Sequence, residues 1–229
     1  MQHKHHIVFL TGAGISQESG ISTFRDANGL WNNHKIEEVA SPEGFEKNPQ
    51  LVLDFYNARR KQLDEVNPNE AHHLIAQLET KYNVTVITQN IDDLHERAGS
   101  TNVLHLHGEL RKCRSSKNSN LISNCTQDIK LGDLASDGNQ LRPHIVWFGE
   151  EVTKIVNAIA ITQSADLFVI VGTSMVVHPA ASLLLAVPFD AQTVYIDNNP
   201  DVEEGINLLV IKEKATVGMK LLVEECLPY

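Results

Sequence analysis

Cysteine is scarce in this sequence: 229 residues carry three, at Cys113, Cys125 and Cys226. So few thiols at such irregular spacing exclude a disulfide framework, and a reducing, cytoplasmic setting is expected. Long apolar runs are missing as well. None approaches the roughly 18 residues of a membrane-spanning helix, so no membrane partner is expected. Basic residues are outnumbered, 19 Lys and Arg against 29 Asp and Glu, for a formal net charge of −10. That balance excludes general affinity for nucleic acid or anionic lipid. Repeats and low-complexity linkers are absent too, and nothing signals an oligomeric state. What remains is ordinary globular material, 42% hydrophobic, enough to bury a real core in one larger domain spanning 1–229.

Short Val/Ile/Leu runs alternate with amphipathic stretches, which predicts an α/β fold: a Rossmann-like parallel sheet with helices on both faces. Strands are expected at HIVFLTG, VTVITQN (84–90), NVLHLHG (102–108), DLFVIVGTS (166–174), TVYIDN (193–198) and NLLVIKE (207–213). The opening MQHKHH reads as a polar lead-in to the first strand and not as a leader peptide. SPEGFEKN starts a helix with Ser41 as N-cap and Pro42 at its first position. QLVLDFYNARRKQLDEV places Leu51, Phe55, Ala58 and Leu63 on roughly one face. NEAHHLIAQLETKY, EVTKIVNAIAITQSA and TVGMKLLVEECL are further helices, with Cys226 read as core in the last. Two segments break the alternation. Residues 27–80 form an inserted helical lobe, and 109–142, with the polar RSSKNSNLISNCTQ, an inserted small module of extended chain.

Four groups of residues carry chemistry. In VFLTGAGISQESGISTFRD (8–26), Gly12 and Gly14 suit a strand-to-helix turn beside a pyrophosphate. Gln17 stands where a dinucleotide fingerprint has its third glycine, and a Phe24-Arg25-Asp26 triplet follows. In TQNIDDLHERAG, Gln89, Asn90, Ile91 and Asp92 fall at a strand's C-terminal edge, where open α/β sheets bind ligands; capping of the next helix by Asp92 or Asp93 is the alternative use. In LHLHGEL, His105 and His107 alternate, so one strand face would present both; a histidine next to a glycine at a strand end suits a general base, and a satisfied core or edge histidine is the alternative use. Finally, RPHIVWFGE (142–150) precedes VGTSMVVHPAASLL (171–184), whose Gly172-Thr173-Ser174 is a turn fit to face phosphate or ribose.

Taken in order, GAG-x-S…TFRD, TQNID, H-x-HGE, WFGE and GTS-x-x-V-x-P-A closely resemble the sirtuins, NAD-dependent protein lysine deacylases. The resemblance covers essentially the whole chain. It implies that NAD is consumed as a co-substrate: the acyl oxygen of an acyl-lysine displaces nicotinamide, and free lysine and O-acyl-ADP-ribose result. By motif, His107 corresponds to the general base. Asn90 shares the catalytic centre and, with Gln89, contacts the ribose. Ile91 and Asp92 belong to the nicotinamide pocket. Ala13, Ile15 and Ser16 lie along the pyrophosphate and nicotinamide loop. Phe24 shields the reacting carbon, and Arg25 holds the reactive cofactor conformation. Gly172, Thr173 and Ser174 face the phosphates or the adenosine ribose. Asp197 takes a place where the family usually has Asn. An acyl-lysine peptide would pair as a strand between Phe148-Gly149-Glu150, next to Val146, and Met175-Val176-Val177. Tyr56 and Arg59, with Ala40 as a small residue widening the pocket, resemble the signature of the desuccinylase and demalonylase branch.

One feature of the family is missing. Sirtuins usually hold a structural zinc on two C-x-x-C pairs, and here only Cys113 and Cys125 occupy that segment, neither with a C-x-x-C mate. Two thiolates do not close a tetrahedral site, so no zinc is expected. Rival uses of the same scaffold are protein ADP-ribosyl transfer, NAD hydrolysis and non-catalytic binding of NAD or a partner.

Overall fold

The computed structural model describes residues 5–22, 30–31, 34–175, 177–200 and 203–227. Phe24, Arg25, Asp26 and Val176 lie outside the described residues. The chain runs β1 (His6–Thr11), α1 (Ala13–Gln17), β2 (Leu30–Trp31), β3 (His34–Lys35), α2 (Ile36–Val39), α3 (Pro42–Lys47), α4 (Pro49–Glu65), α5 (Glu70–Leu78), β4 (Asn83–Thr88), α6 (Leu94–Ala98) and β5 (Val103–His105). It continues through β6 (Gly108–Ser115), β7 (Ile122–Asn124), β8 (Leu141–Ile145), α7 (Ile155–Thr162), β9 (Leu167–Val171), a 3₁₀ turn (Ala180–Ala186), β10 (Gln192–Ile196), β11 (Leu208–Ile211) and α8 (Ala215–Leu221), with a closing π-helical turn (Leu222–Cys226).

Six strands form one parallel sheet in the order β11-β10-β9-β1-β4-β5. All six residues of β1 are buried, as a central strand covered on both faces must be. Alternation then divides its side chains. Ile7 and Phe9 meet Ile75 and Leu78 of α5 and Met219 of α8 on one face, while Val8 and Leu10 meet Ala158 of α7 and Leu183 of the 3₁₀ turn on the other. This two-period split makes the sheet the middle of three layers.

A second core holds the remaining helices. Val39, Ala40, Val52, Phe55, Tyr56 and Leu63 pack with Leu110, Ile145 and Trp147. Ser41 caps α3 as its sequence predicts, its Oγ accepting the Gly44 amide at 2.9 Å. In α4 the buried stripe differs from the one expected: Ala58 is exposed, and Tyr56, Arg59 and Arg60 are buried. Arg60 tolerates burial because its Nε donates to Leu110 O at 2.9 Å and its Nη1 to Asn57 Oδ1 at 2.8 Å, satisfying a charge that would otherwise be costly to desolvate.

Residues 108–145 contain a three-stranded antiparallel sheet, β7-β6-β8, with a register shift between Glu109 and Cys113. Cys226 is exposed in the π-helical turn and not in the core, because Met219 and Leu222 take the inward positions of the last helix.

Candidate active site

The C-terminal ends of β1, β4 and β9 bring the first motifs together. After β1, the loop entering α1 touches the loop leaving β9: Gly12 N–H donates to Val171 O at 3.0 Å and Gly14 N–H to Gly172 O at 2.8 Å. The approach is so close that a Cβ on Gly14 would lie 2.6 Å from Gly172 Cα, and one on Gly172 would run into the backbone of Gly14 and Ile15. Gly172 also has φ of 63°, a left-handed conformation. Gly14 and Gly172 are therefore required by each other. Gly172→Ala is expected to destabilise the fold by more than about 1 kcal/mol and to weaken NAD binding; urea unfolding and calorimetric titration would measure both effects.

The TQNID stretch leaves β4 beneath this junction. Asn90 is 7% exposed, and its Nδ2 donates to Gly12 O and to Ser16 Oγ, each at 3.1 Å. Ser16 Oγ donates in turn to Asp92 Oδ2 at 3.0 Å, and Asp92 Oδ1 accepts the Leu94 amide at 3.2 Å. Asp92 thus holds the first amide of α6 with one oxygen and serves the loop with the other, while the N-cap position is Asp93, whose side chain makes no capping bond. Burial raises its pKa to about 6, against the pull of its hydrogen bonds from the Leu94 amide and Ser16. Gln89 Nε2 donates to Thr173 Oγ1 at 2.9 Å, tying β4 to β9. Ala13 is half-buried, whereas Ile15 is fully buried and points into the sheet core. Ile91 is half-buried, and its carbonyl accepts the Leu110 amide.

His105 and His107 part company. The strand ends at His105, so His107 lies beyond it and the expected strand alternation does not govern the pair. His107 Nδ1 is 3.0 Å from the Gln89 carbonyl oxygen. A carbonyl only accepts, so Nδ1 carries the hydrogen and Nε2 is left as a lone-pair base. Burial lowers the His107 pKa, opposed by that same hydrogen bond, so the ring is neutral at neutral pH. His105 instead contacts acceptors at both nitrogens, Asn90 O at 3.0 Å and Glu96 Oε1 at 2.8 Å. Burial alone would lower its pKa, but hydrogen bonding and charge from Glu96, with the Asn90 carbonyl, raise it. One histidine is a base, and the other is a clamp.

Next to His107, Val146 N–H donates to the His107 carbonyl at 2.9 Å, carrying the chain into the WFGE segment. Phe148 is half exposed, and its amide donates to Ala40 O at 3.0 Å. Glu150 faces inward: Arg142 grips both carboxylate oxygens at 2.7 and 3.0 Å, and Arg114 Nη2 reaches them at 3.0 and 3.1 Å. Its carboxylate also accepts the Trp147 amide at 2.8 Å, so its function is to shape this wall. The Arg142 guanidinium lies 3.2 Å from the Trp147 ring centre. Sequence reasoning assigns no role to Arg114, Arg142 or Trp147, although the last two lie within RPHIVWFGE.

Under this wall, Tyr56 is fully buried and its hydroxyl accepts from Trp147 Nε1 at 3.0 Å. Burial pushes the phenol far above its ordinary pKa. Arg59 is 8% exposed, with its guanidinium carbon 3.7 Å from the Phe55 ring centre and Nη1 donating to Phe55 O at 3.3 Å. Burial lowers its pKa to about 10, which leaves it cationic. Ala40, Tyr56 and Trp147 share one packed cluster.

A separate cavity opens at the ends of β10 and β11, lined by Gly14, Gly172, Asp197, Glu213, Lys214 and neighbours. Asp197 Oδ1 accepts the Asn199 amide at 2.8 Å. Glu213 and Lys214 went unremarked in the sequence, though the rule that places ligands at the C-terminal edge of the sheet applies to β11 as well. Thr173 is buried and Ser174 half-buried at the mouth of β9.

Cys113 and Cys125 are buried with Leu53 and Ile129. Cys113 Sγ is 3.2 Å from Ser123 Oγ, and Cys125 donates to Gln127 O at 3.3 Å. Two thiols with a hydroxyl and a carbonyl for company do not fit the four-thiolate zinc site of the resemblance. Among the described residues, no three His, Cys, Asp or Glu side chains are grouped to hold a metal ion.

The Sir2 family model matches residues 12–179. A Bacteroides thetaiotaomicron protein named NAD-dependent protein deacylase is 52% identical over 230 residues, covering 97% of this chain and 98% of its own. A solved structure described as a Sir2 homolog-NAD complex matches with a TM-score of 0.84 and 39% identity, over 96% of this chain and 88% of its own. Another, described as Sir2-p53 peptide-NAD+, matches with a TM-score of 0.81 and 31% identity, over 97% and 93%.

Proposed function

The chain belongs to the Sir2 family, and from that premise we propose that it is an NAD-dependent protein lysine deacylase that accepts acetyl-lysine and, through Arg59, succinyl- or malonyl-lysine. The observation that carries the deacylase assignment is the state of His107: neutral, with Nδ1–H fixed on the Gln89 carbonyl and Nε2 unprotonated. The acyl oxygen of the bound lysine would displace nicotinamide from the ribose carbon of NAD, and water would then release free lysine and O-acyl-ADP-ribose. His107 Nε2 takes the proton of a ribose hydroxyl. Asn90, Ser16 and Asp92 form one bonded group that would orient the nicotinamide ribose and carboxamide. The cavity at β10 and β11 would take the adenosine end, where the Asp197 carboxylate favours ribose hydroxyls over a 2′-phosphate. The half-exposed Phe148 and the turn at Gly149 would form one wall for the peptide, paired along its main chain against the 175–177 segment.

Acyl choice follows from charge. A buried cation beside a phenol, under a small residue at position 40, suits a carboxylate at the end of the acyl chain. Losing a hydrogen bond to a charged group costs about 1.5–3 kcal/mol, so Arg59→Met should lower kcat/KM for succinyl and malonyl peptides by roughly 10- to 100-fold while acetyl peptide changes little. Equal losses on acetyl and succinyl peptides would remove the basis for the carboxylate pocket.

A further inference from the structure

Thr11, His72, Thr88 and His95 are polar side chains exposed by 1% or less, and none has a part in the chemistry above. Buried polar groups are costly unless bonded; Thr11, Thr88 and His95 are bonded to one another in a definite order, and His72 meets His95 through a ring contact.

The order begins at Asn90. Its backbone N–H donates to Thr88 Oγ1 at 3.0 Å, and Thr88 Oγ1 also accepts the Thr11 hydroxyl at 2.9 Å. With its hydrogen committed there, the Thr11 oxygen accepts from His95 Nε2, 3.0 Å away. His95 is therefore protonated at Nε2, with Nδ1 bare. The His95 ring meets that of His72 edge-on, with centroids 4.9 Å apart. His72 belongs to the capping box of α5, where its Nδ1 accepts the Asn69 N–H at 3.3 Å. That Nδ1 is also 3.1 Å from Asn69 Oδ1, which already accepts the Ala71 amide. The nitrogens left over, His72 Nε2 and His95 Nδ1, have no hydrogen-bond partner among the described residues. Beyond His72, Asn69 Nδ2 donates to Ile15 O at 2.7 Å and to Ser19 Oγ at 3.0 Å. Ser16, next to Ile15, returns to Asn90 through the 3.1 Å bond to its Nδ2. The path encircles the site from behind.

We propose that Thr11 and His95 are positioning residues: they fix the Asn90 backbone from β1 and α6 and, through His72 and Asn69, the Ile15 carbonyl, holding the two loops in register for nicotinamide expulsion. Burial keeps both rings neutral, moving His72 to about 4 and His95 well below the ordinary histidine value, so the arrangement persists at physiological pH. The role rests on the deacylase activity proposed above.

The test is Thr11→Val, nearly isosteric but without the hydroxyl, beside Thr11→Ser, which keeps it. Displaced catalytic groups cost steeply, so acyl-dependent nicotinamide release by Thr11→Val should lose about tenfold or more in kcat, with peptide KM within about twofold and with activity restored in Thr11→Ser. A folded Thr11→Val with unchanged kcat overturns the proposal. Should Thr11→Val fail to fold, ring ¹⁵N–¹H correlation spectra of the wild type decide: a neutral, Nε2-protonated His95 supports it, and an Nδ1-protonated His95 overturns it. A wild type that deacylates no acyl peptide refutes the activity instead, which separates that failure from this one.

Discussion

Replacing His107 with alanine is expected to lower deacylation by roughly 10²–10⁴-fold, the usual worth of a positioned general base, without unfolding the protein. Among the described residues, the side chain's hydrogen bond is to the Gln89 carbonyl, which solvent can satisfy once the ring is gone. In the proposed mechanism the base acts after nicotinamide has left, so exchange of labelled nicotinamide into NAD should persist in His107→Ala when acyl peptide is present. Loss of exchange together with deacylation would place His107 in the first step instead. The pH profile is a second readout. Burial lowers the His107 pKa from its ordinary 6.5, and only the neutral ring accepts a proton. Activity should therefore hold as pH falls past 6.5 and decline only below the lowered value. The wild-type kcat profile checks this.

Glu150→Ala should be the most damaging single change to stability in the peptide wall. It strips the carboxylate from Arg142, whose side chain is 5% exposed, and from Arg114, 11% exposed. Breaking a buried pair costs about 3 kcal/mol or more because the remaining charge is stranded, and for a domain of this size that is roughly 6–12 °C in Tm. The Trp147 amide loses its acceptor in the same step, so peptide KM should rise as well. Burial alone would raise the Glu150 pKa, but the Arg142 hydrogen bond, the Trp147 amide and the two arginine charges depress it. A depressed folded-state carboxylate contributes stability above its ordinary value near 4.5 and loses it as pH falls. Wild type should therefore show an acid-side loss of stability that Glu150→Gln lacks. Equal acid sensitivity in the two proteins would contradict the assignment.

The sheet was legible because its signal is local. HIVFLT and LFVIV are runs that only a strand covered on both faces tolerates, and Gly12, Gly14 and Gly172 mark the turns that follow. What those glycines are for was only half legible: they suit a phosphate loop, but the structure also presses Gly14 and Gly172 against each other. The two histidines illustrate the limit most clearly. Along the chain, His105 and His107 are equivalent alternating residues. Their difference lies in Gln89, Asn90 and Glu96, distant in sequence, which make one a neutral base and the other a doubly bonded clamp. Arg59 and Arg60 followed the same course. A solvated pair is the ordinary expectation for adjacent arginines on a helix, yet carbonyls and side chains from Phe55, Asn57 and Leu110 allow both to be buried. Cys226, apolar by type, ended exposed because Met219 and Leu222 filled the inner face first. The ring from Asn90 through His95 to Asn69 left no trace in the pattern, since its members come from five separate elements and loops.

The most direct test is to incubate the protein with NAD and either acetyl- or succinyl-lysine peptide and follow every product by mass spectrometry. Free lysine peptide, nicotinamide and O-acyl-ADP-ribose should form in equal amounts, only when acyl peptide is present, with no reduced NAD. Nicotinamide released at the same rate without acyl peptide, or ADP-ribose attached to protein with the acyl group intact, would contradict the account.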